Sequence, residues 1–340
     1  MKRTGILILA LAILVAGRTF ANGGSETDEN GAKEVKMAIS LATQSSQWWT
    51  VYANMLRSAI DAVNAEGEYR IEYNLVHNDN AAVQVDTVND QIVVMPDIMV
   101  MAPIDMATSV SAVDACHAAG IPVVTCCRKS NSANVTADRV YNEAQFGINQ
   151  VEAIKKDFPN GAKIVYLFGP NEASYAIAQY REGFLPAIEA AGNIEILEVF
   201  ENKQDTQDVG LMLADDALLK FDDIDAFAAT NDGLAIGAVQ AIKAAGRDDV
   251  KVYGSSALPQ GMVAIRDGNM EFTNMKSQAV MADTMIRLAL DVLEGNDYQK
   301  SGLVDPVVIN AENVETIRDA TFGGTISDPA TFDFDKYAAK

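Results

Sequence analysis

The side chains able to act on another molecule are few, and they suit holding a ring better than breaking a bond. Tryptophans stand side by side at Trp48 and Trp49, an arginine at Arg128, and an amide beside an acid at Asn231-Asp232. Tyr175, Ser255 and Ser256 add hydroxyls. Flat aromatic faces stack on C–H surfaces, and amide, guanidinium and hydroxyl groups exchange hydrogen bonds with ring substituents, so this set fits a small polyhydroxylated molecule. Two adjacent residues in a strand or loop point opposite ways, so at least one of Trp48 and Trp49 is expected to face a ligand. Asp232 is expected to cap the helix that starts near Leu234, leaving Asn231 free to bind. Asp105 has two readings, a cap for the helix over Ala107 to Ala118 or a ligand contact.

Covalent chemistry has little to work with. The chain has two histidines, His77 and His117, and no nucleophile elbow, and its strand-end loops lack a glycine-rich phosphate fingerprint. His77 lies in a turn-like His-Asn-Asp-Asn run, and Lys276 shows no sign of a lowered pKa that would make it a nucleophile. Cys116-His117 with Cys126-Cys127 does not match zinc spacing, and Cys116 and His117 leave different faces of a helix. We therefore expect no enzyme activity, no metal and no cofactor. Cys127 reads as a small polarizable wall of the binding site. Three cysteines are too few and too odd in number for a disulfide framework, although one bridge from Cys116 to Cys126 or Cys127 stays open.

The elements that must position these residues alternate between two periods. Val35, Met37 and Ile39 alternate as a strand does, and Tyr52, Leu56, Ile60 and Val63 recur at helical spacing. A strand over Arg70 to Val76, a helix through Val85, Val88 and Ile92, a buried strand at Ile98 to Met101 and the helix over Ala107 to Ala118 follow. Gly120-Ile121-Pro122 then leads into a strand at Val123-Val124. After a polar stretch from Lys129 to Arg139 the alternation restarts. It gives helices over Phe146 to Lys156, Tyr175 to Ala191, Val209 to Phe221 and Leu234 to Ala245, and strands at Ile164 to Phe168, Ile194 to Val199, Ala226 to Ala229 and Val250 to Tyr253. Two successive β-α series predict an α/β protein with two doubly wound parallel sheets. Ligands bind such sheets beyond the carboxyl ends of the strands, where Trp48, Trp49, Asp105, Cys127, Arg128, Tyr175, Asn231, Asp232, Ser255 and Ser256 fall.

The amino-terminal end bears on where the protein works. Lys2 and Arg3, the apolar run Ile6 to Val15 and Thr19-Phe20-Ala21 have the layout of a secretory signal peptide cut after Ala21, with no cysteine near the cut to carry a lipid. The apolar run is too short to span a bilayer. Residues 22–33 read as a polar, flexible leader. Lys+Arg number 26 against 47 Asp+Glu, and the signal segment contains three of the bases and none of the acids. A field of that sign repels phosphate backbones, which argues against nucleic acid as a partner.

At the same strand ends the chain resembles the ribose- and galactose-type periplasmic binding proteins, from about Lys36 to Val314. The resemblance rests on Ala119-Gly120-Ile121-Pro122-Val123-Val124 leading to Arg128, on Arg181-Glu182-Gly183-Phe184, on Ala229-Thr230-Asn231-Asp232-Gly233-Leu234-Ala235-Ile236-Gly237-Ala238, and on Val307-Val308-Ile309 with Glu312-Asn313-Val314. It implies the type I periplasmic binding protein fold, two lobes joined by three crossovers, with a sugar held in the cleft by hinge closure. It further implies delivery to a membrane permease driven by a separate ATPase, by a protein acting as a monomer in the periplasm or outside the cell. The lobes would be 34–141 plus 277–309 and 142–276 plus 310–340, with crossovers near Tyr141-Asn142, Lys276-Ser277 and Ile309-Asn310. Trp48 and Trp49 match the aromatic pair that sandwiches the sugar, Arg128 the cleft arginine, and Asn231 the asparagine of the second lobe. The chain departs from the family at Cys127 and Ser256, where aspartates are usual, at Lys276, where a glutamine is usual, and at Ala178, where an arginine is usual. Those changes suggest a ligand with fewer hydroxyls, or one with an anionic group facing Lys276 and Arg128. A sensor for a chemoreceptor or histidine kinase would use the same fold and cleft. Regulators resembling the lac repressor also share the fold but begin with a basic DNA-binding helix pair, which the acidic charge and the signal segment argue against.

Overall fold

Short apolar runs form the centres of two sheets, and amphipathic helices cover both faces of each. The computed structural model describes Thr27, residues 31–42, Gln44 and residues 47–315, with only the backbone of Gln47 and Trp48. The expected signal segment lies outside the described residues, as does most of the leader.

The first lobe opens with β1 (Lys33–Leu41), α1 (Gln47–Glu66), β2 (Tyr69–His77), α2 (Ala81–Val93), β3 (Ile98–Met101), α3 (Ser109–Ala118), β4 (Val123–Cys126) and β5 (Ala137–Tyr141). Alternation places Val35, Met37 and Ile39 on one face of β1 and Ala38 on the other. β3 and β4 are buried at every residue, as central parallel strands are. Tyr52, Leu56, Ile60 and Val63 are the buried stripe of α1. The second lobe begins with α4 (Glu143–Asp157) and β6 (Ala162–Phe168). A single helical rod follows, made of α5 (Ser174–Ile177), a π-helical segment (Ala178–Phe184) and α6 (Leu185–Ala191). Then come β7 (Ile194–Glu201), α7 (Gln207–Lys220), β8 (Ala226–Ala229), α8 (Asp232–Ala245), β9 (Lys251–Tyr253), α9 (Pro259–Arg266) and β10 (Phe272–Met275). The chain returns to the first lobe for α10 (Gln278–Glu294), which packs on α1, and for β11 (Ser301–Val304). It ends the described fold with β12 (Val307–Asn310) in the second.

The strand orders are β11-β5-β4-β3-β1-β2 and β12-β10-β9-β8-β6-β7. Each lobe therefore repeats the doubly wound order 2-1-3-4-5 and adds one late strand at its edge. All pairings are parallel except β12 against β10. Separate apolar clusters fill both faces of both sheets. The chain changes sheet at 141–142, at 276–277 and at 305–306. The third passage corrects the expected position near Ile309-Asn310. β12 pairs Thr273 with Ile309 and Met275 with Val307, so Val307 to Asn310 already belong to the second lobe.

The Lys129 to Arg139 stretch that reads as polar contains the start of β5, a strand held between β4 and β11. Gly246 ends α8 at φ 65, a left-handed conformation that costs glycine little. Two other glycines permit close packing. A Cβ at Gly147 would lie 2.1 Å from the Gln179 carbonyl oxygen, and one at Gly183 would lie 1.9 Å from that of Ala144. Helix α4 and the π-helical segment thus touch backbone to backbone, and Gln179 sits buried beneath the strand ends.

Candidate ligand cleft

In a 2-1-3-4-5 sheet the strand order reverses between the first and third strands, and the crevice beyond their carboxyl ends is the natural binding place. Here that means the ends of β1 and β3 in one lobe and of β6 and β8 in the other. Buried amides fix both places. Asn78 donates to the Leu41 carbonyl (2.8 Å), and Gln84 donates to the Ala102 carbonyl (2.9 Å) while accepting from the Ile104 N–H (2.9 Å). In the second lobe Gln150 donates to the carbonyls of Ala229 (2.7 Å) and Gly254 (3.0 Å), and Gln179 donates to Gln150 (3.1 Å). Each ties together backbone groups at the strand ends. The sequence reading missed these amides, yet it carries their signal. Gln84, Val88 and Gln91 share one helical face, as do Phe146, Gln150 and Ile154, and an amide on a core-facing stripe needs a partner there.

Trp48 and Trp49 lie in the first turn of α1, not in a strand or loop. Successive side chains of a helix do not point opposite ways, so the argument that one must face the ligand loses its basis. Trp49 is half-buried, packs on the first-lobe core and meets the Tyr52 ring edge-on at 6.0 Å. The Trp48 side chain lies outside the described residues. At the end of β4, the Arg128 N–H bonds the Cys126 carbonyl at 2.6 Å, closing a tight turn about Cys127, whose φ is 64. A left-handed cysteine is a strained residue of the kind that collects at binding sites. Burial pushes its thiol well above the ordinary range, with the charges of Lys276 and Arg128 pulling the other way. The Arg128 guanidinium donates to the Ile104 carbonyl and to that of Pro103 (3.4 Å). Asp105 takes the capping role. Its Oδ1 accepts from the backbone of Ala107 (3.1 Å) and Thr108 (2.7 Å), and these bonds, with Arg128 adding to them, hold its carboxyl below the usual value.

In the second lobe the cap falls to Asn231 and not, as expected, to Asp232. Asn231 caps α8, accepting from the Leu234 N–H at 3.0 Å, and its amide reaches the Gly169 carbonyl at 3.4 Å. Asp232 turns inward and is fully buried. It accepts from the Thr273 hydroxyl and from the Leu258 N–H, both at 2.7 Å. Burial pushes its carboxyl up to about 7 against the pull of the Thr273, Leu258 and Ser255 hydrogen bonds. The loop it holds carries Ser256 and Ala257, both left-handed at φ 95 and 49. Ser256 is exposed, its N–H bonded to the Asn274 carbonyl at 2.8 Å.

The crossing segments are tied to one another. The Tyr141 hydroxyl donates to the Ser277 carbonyl (3.1 Å), and Asn142 donates to Asp305 (2.8 Å). Lys276 bonds Glu143 at 2.6 Å, with its ammonium over the rings of Tyr175 (5.0 Å), Phe146 (5.5 Å) and Tyr141 (5.8 Å). This corrects the picture of Lys276 as an open cation awaiting an anionic ligand. Its partner lies 133 residues away in sequence and was invisible there. Tyr175 also reaches Asp205 at 3.5 Å, and burial, with Asp205 adding to it, pushes its hydroxyl up to about 12.

Other candidates have structural roles. The His77 ring donates to the Ala42 carbonyl at 2.8 Å. All three cysteines are free. Cys116 is on the buried face of α3, on the α2 side of the sheet, whereas Cys126 and Cys127 pack on the α1 and α10 side, so the sheet itself separates them and no bridge joins them. Among the described residues no three His, Cys, Asp or Glu side chains gather as a metal site, and no helix is long and apolar enough to cross a membrane. A surface hollow of about 440 Å³ beside Gly161, Lys163 and Asp225 lies at the amino ends of the second sheet, far from this convergence.

Comparison with known proteins matches residues 37–297 to the periplasmic binding protein domain. The ribose import binding protein of Salmonella typhimurium is 27% identical over 90% of this chain and 97% of its own length. That of Escherichia coli is 30% identical over 69% of this chain and 80% of its own. Among solved structures, the periplasmic ribose ABC transporter protein of Conexibacter woesei superposes with a TM-score of 0.73 at 19% identity, covering 89% of this chain and 98% of that one.

Proposed function

The chain belongs to the periplasmic binding protein domain family, and from that footing we propose that it is the extracytoplasmic solute-binding component of an ABC importer. It captures a sugar or sugar-like molecule between its two lobes and presents it to a membrane permease powered by a separate ATPase. The observation that carries this reading is the meeting of groups from both lobes at Lys276, whose ammonium lies 5.0 Å from the Tyr175 ring of the second lobe and whose charge acts on Cys127 of the first. Arg128 and Cys127 come from the first lobe, Asn231, Ser256 and Tyr175 from the second, and Lys276 from a crossing segment. The similarity to ribose import binding proteins along most of their length supports import over relay to a receptor. The signal-like residues 1–21 support a place outside the cytoplasmic membrane.

Closure follows from differential contact. A ligand that touches only one lobe has equal affinity for open and closed forms and shifts nothing, whereas one bridging the lobes favours closure by what it gains there. Rotation is confined to three segments, and their cross-links keep them together as the lobes move. Arg128 and Asn231 are the polar contacts we assign to the two sides. Asp105 and Trp49 serve by positioning.

A thermal-shift screen over pentoses, hexoses and polyols tests the reading. A ligand at a hundred times its Kd adds about 2.7 kcal/mol. For lobes of this size that raises Tm by roughly 5–10 °C. Absence of any such shift across the neutral carbohydrates would remove the reading.

A further inference from the structure

Of all the groups at the convergence, one acid stands out because nothing in the strand-end pattern calls for it. Glu143 opens α4 directly after the first crossing. One carboxylate oxygen bonds Lys276 at 2.6 Å, and the other is buried with no hydrogen-bond partner among the described residues. Both side chains are mostly shielded, at 23% and 30% exposure, so their pairing is poorly screened by solvent. Three aromatic rings confine the ammonium on its other sides.

We propose that Glu143 is a specificity-determining residue: by holding Lys276 inside its aromatic surround, it keeps the cleft free of unpaired positive charge and so selects an uncharged polyhydroxylated ligand over its acid or phosphate. This rests on the carbohydrate reading given above. The local inventory of charge agrees. The second cation, Arg128, is engaged by the Pro103 and Ile104 carbonyls, and its field reaches Asp105. A third carboxylate, Asp205, stands beside Tyr175. Two cations thus meet three carboxylates, within a chain whose formal net charge is −21. An anionic ligand entering there must break the Glu143–Lys276 pair or lie against acids. A neutral one needs neither.

The test is calorimetric titration of the wild type, Glu143→Gln and Lys276→Gln with two matched pairs, D-glucose with D-glucuronate and D-ribose with D-ribose 5-phosphate. The quantity read is the ratio of anionic to neutral affinity within a pair. The wild type is expected to prefer the neutral member at least tenfold. Glu143→Gln releases the ammonium while keeping shape, and is expected to raise the ratio at least tenfold. Lys276→Gln leaves Glu143 uncompensated, and the ratio should fall or stay level. That arm serves if Glu143→Gln does not fold, since a raised ratio in Lys276→Gln overturns the proposal. An unchanged ratio in folded Glu143→Gln overturns it too, as does a wild type that binds the anionic member as tightly as the neutral one. Those results leave carbohydrate capture intact. A wild type that binds no neutral carbohydrate, in these pairs or in the thermal-shift screen, removes the carbohydrate reading, and the proposal with it.

Discussion

Asp232 offers the sharpest perturbation of the second lobe. Its carboxyl is fully buried at the base of the loop that carries Ser256, and burial raises it from 3.8 to about 7. Between those values the folded protein keeps a proton that the unfolded chain releases. Stability attributable to this group is therefore greatest near pH 4, declines as pH rises, and is fully lost above about 7. A displacement of about three pH units at ~1.4 kcal/mol each makes the decline about 4 kcal/mol. Asp232→Asn mimics the protonated form. An amide oxygen can still accept from the Leu258 N–H, and its NH2 can face the Thr273 oxygen if that hydroxyl turns. The difference in unfolding free energy, variant minus wild type, should move in favour of asparagine by up to about 4 kcal/mol between pH 4 and pH 8. Urea unfolding followed by circular dichroism at half-unit steps measures it, and groups remote from Asp232 cancel in the difference. A gap independent of pH would refute the reasoning. A gap moving the other way would mean that the three hydrogen bonds outweigh burial.

Asn231→Ala removes the cap on the Leu234 N–H and should cost about 1 kcal/mol in urea unfolding. The same variant should weaken ligand binding by roughly 5- to 100-fold, and calorimetry showing unchanged affinity would take Asn231 out of the site. Gly147→Ala and Gly183→Ala each drive a Cβ to about 2 Å from a backbone oxygen. Both should lower Tm by many degrees, and a melt like the wild type's would contradict the backbone-to-backbone packing of α4 on the π-helical segment. Burial pushes the Cys116 thiol up to about 12 and raises that of Cys127, so a disulfide reagent at pH 8 should label these thiols slowly until urea unfolds the chain. Fast labelling of the folded protein would refute that environment.

The double series of strands and helices was legible because its central strands are unbroken apolar runs and its helices have clean stripes, as in Ile98 to Met101 and in Tyr52, Leu56, Ile60 and Val63. β5 and β11 were not legible, since Ala137 to Tyr141 and Ser301 to Val304 are an edge pair with charged or small residues and little period. Residue type drew attention to the strand ends, but geometry decided which hydrogen bonds each side chain makes there. Asn231 and Asp232 have the same capping chemistry, and only the inward turn of Asp232 toward Thr273 assigns the cap to Asn231. Trp48 and Trp49 were placed in a strand or loop because the helical stripe was counted only from Tyr52, whereas α1 starts at Gln47, directly after Ser46, a residue of capping type. Lys276 read as a bare cation because Glu143 becomes its neighbour only through the meeting of two crossing segments.

Capture of an uncharged carbohydrate by both lobes at once is tested most directly by calorimetric titration of the wild type with the neutral sugar or polyol that most raises its Tm. One ligand per chain, with affinity lost both on truncating Arg128 in the first lobe and on truncating Asn231 in the second, is the predicted result. No heat with any neutral carbohydrate, or binding that survives removal of either side chain, would contradict it.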